Sequence, residues 1–292
     1  MQLLVLAAGH GRRYGGLKQL APVGPLNECL MDYTAIAATE CGIEDVVLVV
    51  REEIRHEVEG HVRRRWPSEL VVEFAIQPDI PGTAQAVFSA RSYIDDVFAV
   101  ANADDLYGEG IIELQAAADG RAADAPHILM GYDLGRTVLT PETVTRGMVE
   151  IADDGHLVAI HEHKVARRED GRFDVRPLPS NEPVEIARFE HIEPGVREPE
   201  TPVSMNLWAF QPRIFDALEH SISSFDPETA PRPELLLPDV VGHIVTTQVD
   251  RVEVRRTNSR CIGLTHPADL DIVRDEIALL ETSTSARVGR FG

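Results

Sequence analysis

A chain of 292 residues, 43% of them apolar, can fill one large domain or two small ones around a real core. Its formal charge of −20 repels nucleic acid and anionic lipid, which argues against both as partners. Cys29, Cys41 and Cys261 are odd in number and far apart, a pattern that fits neither a disulfide framework nor a thiolate metal site and reads as free thiols.

Alternation of short β-branched runs with helical patterns through the first half predicts an α/β fold with a mainly parallel sheet. Residues 2–8 read as a buried strand, far short of the roughly 18 apolar residues a membrane span needs. This opening run has no basic lead-in or cleavage-site pattern, so cytoplasmic residence is expected. A helix over Glu28–Glu40 stops at Gly42, and 45–50 form a second strand. A charged helix over 52–65, ended by Pro67, leads to a third strand over 70–76. A helix from Thr83 to Tyr93 precedes the strand Val97–Ala101, and Asn102-Ala103-Asp104-Asp105 follow at its carboxyl end. In open α/β sheets that end is where ligands bind.

Beyond residue 126 the pattern changes. His127–Leu134 reads as a strand, and Met148–Ala152 with Leu157–His163 as a hairpin around Asp153-Asp154-Gly155. Residues 165–203, rich in Pro, Arg and Glu, predict a long loop or flap. Ser204–Phe210 is a strand, a helix starts near Pro212, and the proline-rich 225–238 is expected to be irregular. Thr265 is a candidate N-cap for a last helix to Leu280, before a tail expected to be disordered from Ser283.

The chemistry concentrates after the first strand, in Leu6-Ala7-Ala8-Gly9-His10-Gly11-Arg12-Arg13-Tyr14-Gly15-Gly16-Leu17-Lys18-Gln19. Gly9 and Gly11 let backbone N–H groups approach an anion, and Arg13 and Lys18 can add charge to phosphate oxygens. Neither the dinucleotide fingerprint nor the Walker pattern is present. Of 28 basic residues only Lys18 and Lys164 are lysine, so each marks a place where the compact ammonium matters.

Leu-Ala-Ala-Gly-x-Gly-x-Arg followed by Lys and Pro-Val-Gly resembles the signature of the sugar-phosphate nucleotidyltransferases. Further matches fall in that family's order over roughly residues 2–270: Gln77 with Gly82-Thr83, Asp104, Gly147, Glu162 with Lys164, and Asn206. The resemblance implies a Rossmann-like, mainly parallel mixed sheet flanked by helices, of the nucleotide-diphospho-sugar transferase type. It implies one domain over 1–282, with a nucleotide-binding half over about 1–135 and an acceptor-binding half over about 136–265. A C-terminal helix over about 266–282 and a flexible tail over 283–292 complete the chain. By the same resemblance Leu6, Ala7, Ala8, Gly9, Gly11, Gln77, Gly82 and Thr83 seat the nucleotide, and Arg13, Lys18 and Asp104 are catalytic. Asp104 holds Mg²⁺, and Gly147, Glu162, Lys164 and Asn206 hold a small phosphorylated acceptor. A nucleoside monophosphate unit passes from a triphosphate to that acceptor and pyrophosphate leaves. A sugar phosphate is the first choice, with a non-sugar phosphate or phosphonate open for a cytidylyltransferase.

Glu162 and Lys164, two apart on a strand, share one face, and His161 and His163 the other. The two histidines lack an evident third metal ligand. Asp105 points away from Asp104 and reads as a turn residue or a support to the metal ligand. The expected late second metal carboxylate has no clear counterpart in Ile262–Asp269. A dinucleotide oxidoreductase would need a ribose-binding acid ending the second strand, a glycosyltransferase would not need Arg13 and Lys18, and a non-catalytic nucleotide sensor would have lost one of Arg13, Lys18 or Asp104.

Overall fold

The structure is a computed structural model that describes residues 1–9, 17–139, 142–178, 194–264 and 269–283, with side chains to Leu279 in the last segment. The calls on Gly11 and Arg13, on Thr265, and on the tail beyond Ser283 lie outside the described residues.

In chain order the elements are β1 (Gln2–Leu6), α1 (Leu30–Glu40), β2 (Asp45–Val50), α2 (Glu52–Arg65), β3 (Val71–Ile76), α3 (Thr83–Phe88), β4 (Phe98–Asn102) and β5 (Asp105–Leu106). They continue as α4 (Gly110–Ala118), β6 (His127–Asp133), β7 (Val144–Ile151), β8 (Leu157–Arg167), β9 (Phe173–Pro177), β10 (Gly195–Arg197), β11 (Pro202–Phe210), α5 (Ile214–Ser224), α6 (Leu237–Thr246), β12 (Val252–Arg256), β13 (Ile262–Gly263) and α7 (Leu270–Ser283).

β3-β2-β1-β4 run parallel, β11 pairs antiparallel to β4, and β7 to β10 extend the sheet as antiparallel neighbours. Both faces of the parallel part are covered, which is why β1, β2 and β4 read as unbroken apolar runs rather than alternating ones. Leu3 and Val5 face α1, α2 and α4, while Leu4 and Leu6 face α3, α5 and α6. A smaller apolar cluster seats α7 through Val273 and Ile277 on Val23, Leu106 and Leu264.

β11 is the pivot. It keeps β6 along one edge, while the other edge carries β7 at Val203 and Ser204 and β4 at Trp208–Phe210. The exchange falls where the register shifts between Ser204 and Trp208, and Asn206 there adopts φ +59°, a conformation Asn tolerates better than most residues. The sheet therefore forks, and β4 and β7 diverge around the middle of β11.

Several expectations change. The 165–203 segment is not one long loop: β8 runs on to Arg167, and β9 and β10 add two antiparallel strands within it, β10 at the sheet edge. The helix predicted over Thr83–Tyr93 ends at Phe88, with a separate 3-10 turn at Arg91–Tyr93. The irregular 225–238 stretch yields to α6 at Leu237, where Pro238 sits in a first turn that needs no N–H from it. No helix among the described residues is long and apolar enough to cross a membrane.

Cys29 and Cys261 are buried and Cys41 is half-buried, all as free thiols. Cys29 belongs to a polar cluster under α1. Buried Asp32 accepts the Cys29 N–H at 2.9 Å, Trp66 Nε1–H at 2.8 Å and His61 Nε2 at 2.7 Å, and Cys29 Sγ lies 3.3 Å from that nitrogen. Both oxygens of Asp32 are thus spoken for, as a buried carboxylate requires.

Candidate active site

Two clefts open at the carboxyl ends of the parallel strands. The larger, about 550 Å³, runs from Leu6, Ala8 and Gly9 past Arg51 to Gln77, Gly82, Thr83 and Asp104. The strand alternation of β1 continues into its loop, so Leu6 and Ala8 line this cleft. Ala7 packs in the core on the opposite side, with its N–H on Val49 O at 2.8 Å. Gln19 pins the turn, donating Nε2–H to Ala7 O at 2.9 Å and to Gly9 O at 2.6 Å.

Gln77, just after β3, folds the far wall by donating Nε2–H to Ile80 O at 2.9 Å and Gly82 O at 3.2 Å. Its Oε1 takes no bond from a described residue, and the side chain lines the cleft. Gly82 has φ +118° and an added Cβ would fall 2.2 Å from Leu235 O, so neither its conformation nor its space admits a side chain. Thr83 Oγ1 accepts the Leu237 N–H at 2.7 Å, which joins the start of α3 to the start of α6.

At the cleft floor Lys18 Nζ donates to Asp104 Oδ2 at 2.5 Å. Their side chains are 15% and 34% exposed, so the pair is accessible from the cleft rather than sealed in the core. Asp104 Oδ1 takes no bond from a described residue. The carboxylate is thus a hard oxygen donor open to the cleft, the kind of group a magnesium ion takes together with water and phosphate oxygens.

The smaller cleft, about 200 Å³, lies in the fork between β4 and β7. Its wall is formed by Gly147, Glu162, Ser204 and Asn206, and it shares Asn102 and Thr83 with the larger cleft. Gly147 keeps the approach open, since an added Cβ would lie 3.3 Å from Ser204 Cβ and 3.4 Å from Glu162 Oε1. Burial is the main reason that the Glu162 carboxyl is pushed up from 4.5 to about 7, while Arg232 and Arg146 hold it down in part and Asp239 adds to the rise. Arg146 spends its guanidinium on Thr137 O, Thr137 Oγ1 and Thr145 O, so it shapes the wall rather than reaching for a ligand.

The structure thus gathers Gly147, Glu162 and Asn206 in one pocket and leaves Lys164 outside its lining. Lys164 is exposed on the same face as Glu162, opposite Thr145 of β7 and Arg176 of β9, at the rim. His161 and His163 are buried, His163 Nδ1 sits 2.8 Å from His161 O, and no metal-ligand group of three forms around them among the described residues. Asp105 is buried as a support: its Oδ2 accepts Asn102 Nδ2–H at 2.7 Å. Burial first and then the neighbouring Asp104 charge raise its carboxyl from 3.8 to about 6.

Among the wall residues without a role in the sequence reading, Arg51 and Asn102 stand out. Arg51 lines the large cleft and donates Nε–H to Ala8 O at 2.9 Å. Its position directly after β2 carried a signal, the same strand-end rule that marks Asp104. Asn102 lines both clefts, and its signal was weaker because a strand-final Asn is more often a turn former.

Residues 2–164 match the family model for nucleotidyl transferases. No curated protein matches the sequence. Among solved structures, the inositol-1-phosphate CTP transferase of T. maritima superposes with a TM-score of 0.64 at 18% identity, covering 96% of each chain. A Bacillus anthracis structure described as a glucose-1-phosphate thymidylyltransferase in complex with a sucrose gives a TM-score of 0.66 at 14% identity, over 100% of this chain and 97% of the other. At those identities the likeness speaks for the fold, a mixed, mostly parallel sheet flanked by helices as in nucleotide-diphospho-sugar transferases. With more than half its length matched by the family model, and that fold around two clefts at the strand ends, the chain belongs to the nucleotidyl transferase family.

Proposed function

We propose that the chain moves a nucleoside monophosphate unit from a nucleoside triphosphate to a small phosphorylated acceptor bearing hydroxyl groups, a sugar or polyol phosphate. The observation that carries this reading is the meeting of the two clefts at Asn102 and Thr83, with Lys18 and Asp104 beside the junction. The large cleft would hold the triphosphate, with Gly9 near its phosphates and Gln77, Gly82 and Thr83 along the nucleoside. The small cleft would hold the acceptor against Gly147, Glu162 and Asn206, with Lys164 at the rim as a cation for its phosphate. The two solved relatives are described as acting on inositol-1-phosphate and glucose-1-phosphate, which agrees with a hydroxylated acceptor.

In this reading an acceptor phosphate oxygen attacks the α-phosphorus in line, the bond to the bridging oxygen breaks, and pyrophosphate leaves with the electron pair. Phosphoryl-group transfer of this kind needs positioning and charge neutralisation more than covalent help. Lys18 would stabilise charge building at the α-phosphate, and Arg13 the departing pyrophosphate. Asp104 would hold Mg²⁺, whose part is to neutralise phosphate charge. The fit rests on the uncommitted oxygen of that carboxylate and on its exposure to the cleft.

The test is a pyrophosphate-release screen of four nucleoside triphosphates against sugar-1-phosphates, inositol-1-phosphate, phosphocholine and a phosphonate, with Mg²⁺ and with chelator. Metal-dependent release with a hydroxylated phosphate is expected. Release only with phosphocholine or the phosphonate would move the acceptor class, and nucleotide binding without release would turn the protein into a sensor.

A further inference from the structure

The floor between the two clefts is a chain of hydrogen bonds whose polarity is fixed from its Trp208 end. Trp208 Nε1–H, which can only donate, lies 2.8 Å from Asn206 Oδ1. The Asn206 amide must then turn Nδ2 towards Asn102, and it does, at 2.8 Å from Asn102 Oδ1. That in turn aims Asn102 Nδ2–H at Asp105 Oδ2, 2.7 Å away. The donor-only Trp208 at one end leaves one orientation for both amides in turn, so neither flip is arbitrary.

The surroundings hold this relay in place. Tyr107 hydroxyl donates to Met205 O at 3.0 Å and accepts the Asn102 backbone N–H at 2.8 Å, tying the two sides of the fork together. Gly263 lies against Asp105, and an added Cβ there would sit 2.4 Å from Asp105 Oδ1. Each amide keeps a second N–H that no described residue accepts, and both side chains line the small cleft. Across that cleft Glu162 offers carboxylate oxygens. A hydroxyl can accept from an amide N–H and donate to a carboxylate at once, whereas an ammonium would meet the amide donors as a like partner.

We propose that Asn102 is a specificity-determining residue that donates its spare amide N–H to a hydroxyl or phosphate oxygen of the acceptor, with Asp105 and Gly263 as the positioning residues that aim it. The inference rests on the function proposed above and adds the group that selects oxygen-rich acceptors over cationic ones.

The experiment is steady-state kinetics of the full-length protein, wild type against Asn102→Ala, Asn102→Asp and Gly263→Ala, with the best hydroxylated acceptor and its mono-deoxy analogues. Asn102→Ala is expected to raise the acceptor KM at least about tenfold, and the triphosphate KM by clearly less. One deoxy analogue should show no further loss in Asn102→Ala, because the hydroxyl and the amide are a pair. Asn102→Asp, which sets a carboxylate against Asp105, should be worse than Asn102→Ala. Gly263→Ala, which lines neither cleft, should reproduce the acceptor KM effect by moving Asp105. Thermal melts separate this from unfolding, since a merely structural role would lower Tm and both KM-defined affinities together. An unchanged acceptor KM in Asn102→Ala, or equal losses for both substrates, overturns the proposal while leaving the function standing. A wild type that releases no pyrophosphate with any hydroxylated phosphate overturns both.

Discussion

Replacing Glu162 by Gln probes the small cleft through stability as well as activity. The Glu162 carboxyl is raised from 4.5 to about 7, chiefly by burial. That rise is equivalent to about 3 kcal/mol in favour of the protonated form. Because the side chain borders an open pocket, screening reduces the expected effect to about 1–3 kcal/mol. The sign follows from proton counting. Between pH 4.5 and about 7 the folded protein keeps a proton that the unfolded chain has lost, so raising the pH through this window weakens the fold. Below it both states are protonated, and above it both are ionised with the full cost in place. Gln cannot ionise and escapes that cost. Urea melts of both proteins from pH 5 to pH 8 should show little difference at the acid end and a Glu162→Gln variant more stable by about 1–3 kcal/mol at the alkaline end. In parallel, the wild-type acceptor KM should fall as pH rises through about 7, because the ionised carboxylate is the form that accepts a hydroxyl. A stability difference that stays flat across this range, or that favours wild type at pH 8, would refute the burial argument.

Other consequences reach the rest of the molecule. Lys18→Ala and Asp104→Ala should each lower kcat at least about 100-fold with little change in Tm. Residual activity insensitive to chelator in the wild type would remove Asp104 from metal binding. Gly82→Ala should cost at least about 2 kcal/mol in a urea melt and raise the triphosphate KM, since the added methyl meets the Leu235 backbone; a neutral result would mean that the 77–82 turn can yield. Asp32→Asn should cost about 1–3 kcal/mol by leaving N–H donors of Trp66, His61 or Cys29 unpaired, with kcat and both KM values unchanged. A kinetic defect in that variant would show that the polar cluster under α1 reaches the clefts.

Much of the parallel half was legible from residues alone. β1, β2 and β4 are covered on both faces, so each announces itself as an apolar run whatever its partners are. Asp104 stood out because it ends a strand, whereas Gln77, Gly82 and Thr83 drew notice only through the resemblance to the nucleotidyltransferase pattern. The 165–203 segment failed for the opposite reason. In β9 only Phe173 and Val175 are buried while Asp174 and Arg176 face outwards, too short an alternation to stand out among Pro, Arg and Glu. α6 was hidden because Pro238 looks like a breaker until its place in the first turn is known.

Chemistry that is local in the chain, the glycines before Lys18, the acid at a strand end and the paired faces of β8, was set by sequence, because backbone conformation and side-chain type act within a few residues. Tertiary structure decided what meets what. Asn102 and Asn206 stand 104 positions apart, Thr83 and Leu237 stand 154 apart, and only the fork of β11 between β4 and β7 makes neighbours of the first pair. The same fork put Glu162 inside the small cleft and left Lys164, two residues on, at its rim. Strand pairing over such separations depends on which surfaces pack best across the whole chain, and no window of sequence contains that information.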